Sequence, residues 1–401
     1  MSTAVACLTN IETPFIFQGK WGAKMRFFSV LIVWLSATAM AIGQDEPLPD
    51  SVTTPYLAYE AAVEAGDDQA AAESSEQAWR AGRDARIAPS ILATLAENAG
   101  FYARRTGRYD IAEDAFLNAA ELNERSNGDA VVRARALRYA SDAQLRQGEH
   151  RSAFLSSERG VEIIETLPAS PAAETEAALA HAYMSSSRWA RGQYQNAGFH
   201  GERAMQAARR AGIQTAPVFG VAAFQAGAYY SYEDRPLEAA YWMTVARTLL
   251  SQGGGDSDLS DAAEAWGSME RAELNADQRA ELFERLLADN VYKSVDESEV
   301  EANAFVAVEG FVDTVVIERR PPAYPRDAAW AGVEGIALMR FDVNEEGRPE
   351  NVEVVYSIPY REFGEEGVRT VRRWRYEPAT QDGVPIVRRG VTTRLDYQLA
   401  D

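Results

Sequence analysis

A single repeated pattern constrains this chain more than any other feature. A glycine or aspartate, followed five residues later by alanine and twelve later by a small residue, recurs five times: Gly66/Ala71/Ala78, Gly107/Ala112/Ala119, Gly148/Ala153/Gly160, Gly192/Ala197/Ala204 and Asp234/Ala239/Ala246. Successive turn residues are 41, 41, 44 and 42 positions apart. Between them, from Pro55 to about residue 290, the chain is rich in Ala, Glu and Arg with helical periodicity, broken only by short Gly, Asp and Asn punctuation. This predicts stacked helical hairpins. Small residues let the two helices of a hairpin approach, and no hairpin can bury its apolar face without a neighbour, so the pattern requires a solenoid.

Gly100, Gly107, Tyr109, Ala112, Phe116 and Ala119 form the clearest unit, and in order and spacing they resemble a tetratricopeptide repeat. Tyr109 and Phe116 then fill the gap between neighbouring hairpins. The unit is longer than the family's roughly 34 residues, and Glu124 stands where the family places a terminal proline.

Composition removes several functions. The 401 residues carry 60 acidic and 40 basic side chains, a net charge of -20 held mostly by the helical region. Such a field opposes a polyanion, so nucleic acid is not an expected partner. Cys7 is the lone cysteine and precedes any mature start, which excludes a disulfide, a thiol nucleophile and thiolate metal ligands from the folded protein. His150, His181 and His200 fall on different predicted hairpins, and neither a phosphate-binding Gly-rich loop nor a Gly-x-Ser-x-Gly elbow occurs. Asp256, Asp258 and Asp261 lack the spacing of a calcium loop and read as a solvated turn. No cofactor, metal or catalytic residue is expected, and the chain is not read as an enzyme.

Near the start, Arg26 precedes 17 uncharged residues, 27–43, that end in Ala37-Thr38-Ala39 and Ala39-Met40-Ala41. This is the layout of a secretory signal, and the same length is the lower edge of a membrane anchor. Two outcomes stay open: Sec-type export with cleavage into the periplasm, or an inner-membrane anchor with periplasmic domains. Met25 is a natural start, which would make the stretch before it an upstream extension.

The expected organisation is multidomain: residues 1–43 as extension and signal or anchor, 50–250 as an all-α tetratricopeptide-like solenoid, 251–304 as an acidic loop with further helices and linker, and 305–401 as a small α+β domain. In the last, Ala337, Met339, Phe341 and Val343 alternate on one strand, Asn344-Glu345-Glu346-Gly347 forms a hairpin loop, and Val352, Val354 and Tyr356 alternate on the next strand. Phe363, Gly367, Val371 and Trp374 make a helical stripe, and Val391 to Leu399 is a final half-buried strand. The result is a three-stranded antiparallel sheet with a helix across it and the last strand at an edge. Arg369, Arg372, Arg373, Arg375, Arg388 and Arg389 form either a basic patch for an acidic partner or a solvated face with acids such as Glu365 and Glu366 as partners.

These residues carry a second resemblance. Pro322-Ala323-Tyr324-Pro325, Gly332-Val333-Glu334-Gly335, Phe341-Asp342-Val343 with Gly347, and Arg373-Trp374-Arg375-Tyr376-Glu377-Pro378 resemble the C-terminal domain of the TonB family of Gram-negative energy transducers, over roughly residues 318 to 399. The resemblance implies a periplasmic domain that captures the TonB box, an extended peptide of an outer-membrane TonB-dependent receptor, by adding it as a strand. It implies partner-binding residues at Tyr324, Pro325, Thr392, Arg394, Asp396 and Gln398. Gly335, Phe341, Gly347, Phe363, Trp374, Tyr376, Pro378 and Tyr397 carry the motif as structural residues. Where the family often has Gln before Pro-x-Tyr-Pro this chain has Pro321, and helical repeats replace the family's Pro-rich spacer. Energy transduction through ExbB and ExbD follows only if residues 27–43 remain as an anchor. Otherwise the chain is a non-transducing scaffold whose repeats, with a protein partner of their own, organise an envelope complex.

Overall fold

The computed structural model describes residues 47–216, 218–251, 257–289, 310–358 and 361–399. The apolar run 27–43, Cys7, Asp256 and the linker at 290–304 lie outside these. Among the described residues no helix is long and apolar enough to cross a membrane.

Each turn residue in the repeat pattern ends a helix and opens its partner. Gly66 separates α1 (Asp50–Ala65) from α2 (Asp68–Ala85), Gly107 separates α3 (Pro89–Arg105) from α4 (Tyr109–Arg125), and Gly148 separates α5 (Ala130–Arg146) from α6 (His150–Glu165). Gly192 lies between α7 (Pro171–Trp189) and α8 (Tyr194–Ala211), and Asp234 between α9 (Val218–Tyr232) and α10 (Pro236–Ser251). All five have positive φ, from 55° at Asp234 to 77° at Gly107 and Gly148. A left-handed residue lets the next N–H turn back onto the helix, as Arg108 N does to Ala103 O at 2.8 Å. Five residues on, Ala71, Ala112, Ala153, Ala197 and Ala239 are each fully buried. Within the second unit, a Cβ on Gly100 would lie 2.9 Å from the Phe116 ring. α11 (Ser257–Glu273) and α12 (Ala276–Ala288) complete the helical region.

The described residues form two compact units, one of those up to Arg191 with Arg203–Gln214, the other of Gly192–Glu202 with those from Thr215 on. In the first, the register between hairpins is set by buried and part-buried ion pairs as well as by apolar contact. Arg104 Nε donates to Asp142 at 2.5 Å, Arg138 grips Glu176 at 2.7 and 3.2 Å, and Arg135 reaches Glu97 at 3.2 Å, each partner being 38 residues away. Burial opposes ionisation of Asp142, but Arg104 and Arg146 hold its carboxyl below the usual range. Breaking such a pair from one side typically costs about 3–5 kcal/mol, which makes it strict about alignment.

The second unit adds the C-terminal elements to the last helices: β1 (Phe311–Val312), β2 (Val315–Glu318), α13 (Arg326–Ala331), β3 (Gly335–Val343), β4 (Pro349–Ile358), α14 (Arg361–Val371), β5 (Arg375–Glu377), β6 (Ala379–Gln381), β7 (Val384–Ile386) and β8 (Arg388–Tyr397). The three-stranded antiparallel sheet is present, ordered β4-β3-β8. Two smaller sheets, β1-β6-β7 and β2-β5, were not anticipated. The helix expected to carry the stripe from Phe363 to Trp374 ends at Val371, because Trp374 turns inward and Arg375–Glu377 pair with β2. The final strand stops at Tyr397, since the Leu399 N–H turns to Glu334 Oε1 at 3.1 Å.

One expected outcome in the first unit concerns pH. His181 on α7 is buried, and that burial, followed by the charges of Arg203 and Arg210, lowers its pKa from 6.5 to about 4. Glu165, 3.5 Å away, is also bonded by Arg203. Folded His181 therefore stays neutral while the unfolded chain takes up a proton below about pH 6.5, so stability is lost as pH falls from 6.5 toward 4. Thermal unfolding across that range should show His181→Asn flattening the decline relative to wild type.

Candidate functional site

β8 is the site the fold itself offers. β3 lies on one side of it, and among the described residues no strand lies on the other. A strand in that position keeps alternate N–H and C=O groups open to an added segment. One acceptor is already engaged: Arg319 Nη2 donates to the Arg394 carbonyl and to Thr393 Oγ1, both at 3.2 Å, while its guanidinium lies 4.7 Å from the Trp374 ring centroid.

The residues that hold β8 in place form one core. Phe341, Phe363, Val371, Trp374, Tyr376, Leu395 and Tyr397 are buried together. The Tyr397 hydroxyl donates to the Phe363 carbonyl at 2.7 Å, and Trp374 Nε1 donates to Arg320 O at 3.0 Å, which ties the segment before Tyr324 to the core. Gly347 has φ of 75°, and a Cβ there would fall 1.8 Å from Tyr376 O, so the hairpin loop can lie against β5 only as glycine. Gly335 is equally confined, with Ile358 O and the Phe363 ring each 2.5 Å from a Cβ position. Pro378 connects β5 to β6.

The residues proposed from sequence to bind a partner fall into three groups. Tyr324 is half-buried and fixed: its hydroxyl donates to Val333 O at 2.9 Å, and its ring meets Tyr397 and Phe363 edge-on at 6.0 and 5.9 Å. Pro325 is buried at the start of α13. Thr392, Arg394 and Asp396 share one face of β8, and Gln398 is exposed just past the strand's end. Of the arginines considered as a basic patch, Arg369 pairs with Glu366, and Arg388 pairs with Asp313 at 2.8 Å.

Arg394 does not project into open solvent. Its guanidinium donates to Ser231 Oγ of α9, lies 3.8 Å from Glu270 of α11 and bonds Asp396 at 3.1 Å. Glu270 is 4% exposed and also accepts from Ser231 and, at 3.1 Å, from Trp266 Nε1. Burial raises its pKa, against the pull of Ser231, Arg394 and Trp266. Around this polar knot the sheet's second face is apolar. Ile336 and Leu338 are wholly buried, α11 packs on β3, β4 and β8, and the Phe224 ring meets Tyr356 and Trp266 edge-on at 5.2 and 5.7 Å.

Sequence reasoning missed this covering, although two signals pointed to it. Ile336 to Met339 is an unbroken apolar run, which marks a strand buried on both faces. Residues 218–232 are apolar all round, which marks a helix with neighbours on every side.

Comparison with known proteins settles what the C-terminal elements are. Residues 320–399 match the family model for the Gram-negative bacterial TonB protein C-terminal. The chain carries a TonB C-terminal domain. The helices before it include a tetratricopeptide repeat match at residues 91–166, covering α3 to α6. Protein TonB of Pseudomonas aeruginosa is 35% identical over 79 residues, 20% of this chain and 23% of that protein. Protein TonB of Escherichia coli is 39% identical over 62 residues, 16% of this chain and 26% of that protein. The chain thus spans about a quarter of these relatives, confined to the TonB C-terminal domain. A solution NMR structure of the Pseudomonas aeruginosa TonB CTD is 31% identical, with 22% of this chain and 89% of that one covered, at a TM-score of 0.20.

Replacing Arg394 by Met should lower the stability of the second unit by about 1–3 kcal/mol, because a buried carboxylate loses its cation. Glu270→Gln, which stays polar without charge, should cost less. Thermal unfolding of the full chain compares the two.

Proposed function

We propose that this protein binds an extended segment of an outer-membrane receptor by strand addition to the open edge of β8, and that its role is binding rather than catalysis. The observation that carries this reading is the position of β8 at the edge of a sheet in a TonB C-terminal domain. Main-chain hydrogen bonds along the added strand each contribute about 0.5–1.5 kcal/mol net, and alternate side chains supply selection. Thr392 and Asp396 border the incoming strand, with Tyr324 and Pro325 fixing the segment beside it and Gln398 at its end. At the Arg394 rung the incoming N–H competes with Arg319 for the carbonyl.

The wider role divides on residues 27–43. Retained as an inner-membrane anchor, they would let ExbB and ExbD drive the protein as an energy transducer whose spacer is the helical repeats. Removed on export, they would leave a periplasmic scaffold that gathers a receptor and a partner of the repeats without transmitting force. Mature N-terminal mass spectrometry of fractionated cells separates the two.

For strand addition, synthetic peptides carrying TonB boxes of the same organism's outer-membrane receptors are titrated against the full chain. N-methylation of one backbone amide at a time should abolish binding at every second position and leave the positions between nearly unaffected. Uniform tolerance of N-methylation would contradict ladder pairing.

A further inference from the structure

The two sets of side chains along β8 meet different neighbours. Leu395 and Tyr397 enter the core beneath α14. Thr392, Arg394 and Asp396 lie on the other face, where Arg394 bonds Ser231 of α9 and α11 packs on β8. Tyr232, the final residue of α9, has its ring centroid 5.6 Å from the Arg394 guanidinium. Burial raises the pKa of its hydroxyl far above the usual value, and the nearby Asp396 and Tyr194 add to that, so the ring presents a neutral surface. Tyr194 begins α8 and belongs to the same compact unit.

A segment added beside β8 alternates in the same way. Directly opposed side chains on one face of paired strands have Cβ atoms about 4.5–5.5 Å apart. Every second residue of the segment would then stand next to Thr392, Arg394 and Asp396, on the side where Tyr232 lies. Arg394 is already held between the carboxylates of Glu270 and Asp396. An anionic newcomer would meet acids whose cation is engaged and would lose water, whereas an apolar or aromatic side chain can pack on the ring.

Resting on the strand-addition reading, we propose that the helical repeats supply one wall of the peptide site. Tyr232, flanked by Tyr194, contacts alternate residues of the captured receptor segment and selects apolar or aromatic side chains there. Sequence preference in this protein is therefore set jointly by the TonB C-terminal domain and by the solenoid that replaces the family's spacer.

The test is an alanine scan of a TonB-box peptide that binds, titrated by calorimetry against the full-length protein and its Tyr232→Ala and Tyr232→Phe variants. For wild type, substitutions on both faces of the peptide should weaken binding. Tyr232→Ala should weaken the parent peptide at least about threefold and make one set of alternate positions indifferent to alanine, while the other set keeps its effect. Tyr232→Phe, which keeps the ring, should reproduce the wild-type scan. If Tyr232→Ala does not fold, a photoreactive phenylalanine analogue at position 232 serves instead, and it should crosslink to peptide residues of one parity. An unchanged scan in folded Tyr232→Ala, or crosslinks to neither parity, would overturn the wall while leaving strand addition intact. Failure of the wild-type chain to bind any box peptide would overturn strand addition and the wall with it.

Discussion

Burial of the sheet's second face against α9 and α11 is the constraint on which the rest of the second unit depends. Ile336, Leu338 and Tyr356 would otherwise face water on the side of the sheet away from α14, and Phe224 and Trp266 would lack part of their cover. Apolar burial of this kind contributes about 25 cal/mol per Å² and is indifferent to direction. The Glu270 cluster supplies direction. A carboxylate buried among Ser231, Trp266 and Arg394 tolerates only the arrangement that brings β8 to the C-terminal end of α9.

This packing gives the edge strand its character. Free edge strands invite indiscriminate pairing, and natural sheets restrain them with charge, short length or cover. Here β8 is supported on one face by α14 and on the other by α9 and α11, Arg319 holds one edge carbonyl, and the edge itself stays unpaired among the described residues. A rigid, partly guarded edge suits capture of a specific extended peptide, because little ordering of the protein remains to be done on binding. In the first unit, buried pairs such as Arg104 with Asp142 and Arg138 with Glu176 align successive hairpins in the same spirit, with polar contacts setting the register of an apolar stack.

Much of this was legible in the sequence. The five turn residues announced themselves because a left-handed turn tolerates few residue types, and the alanines after them because close helix approach tolerates few sizes. The sheet and its final edge strand followed from period-two alternation, and the TonB motifs from residues with tightly confined positions such as Gly335, Gly347 and Trp374. What alternation could not reveal was the fate of the polar face. Arg394 looks the same in a strand facing solvent as in one facing a buried glutamate, since the difference lies in Glu270, 124 residues earlier. The short strands β1, β2 and β5 to β7 carry too few residues for any period to show. The ion pairs between hairpins were hidden because one arginine in an Arg-rich helix resembles its neighbours until its partner is seen.

Hydrogen exchange resolved to single amides along residues 388–397, in the full chain with and without a bound TonB-box peptide, tests capture at the β8 edge most directly. The account predicts that every second amide of β8 from Thr392 on exchanges readily in the free protein and becomes protected when the peptide binds, while the amides already bonded to β3, and that of Gly390 bonded to Asp342, change little. Protection confined to β4, or to the helices of the first unit, with β8 unchanged, would contradict it.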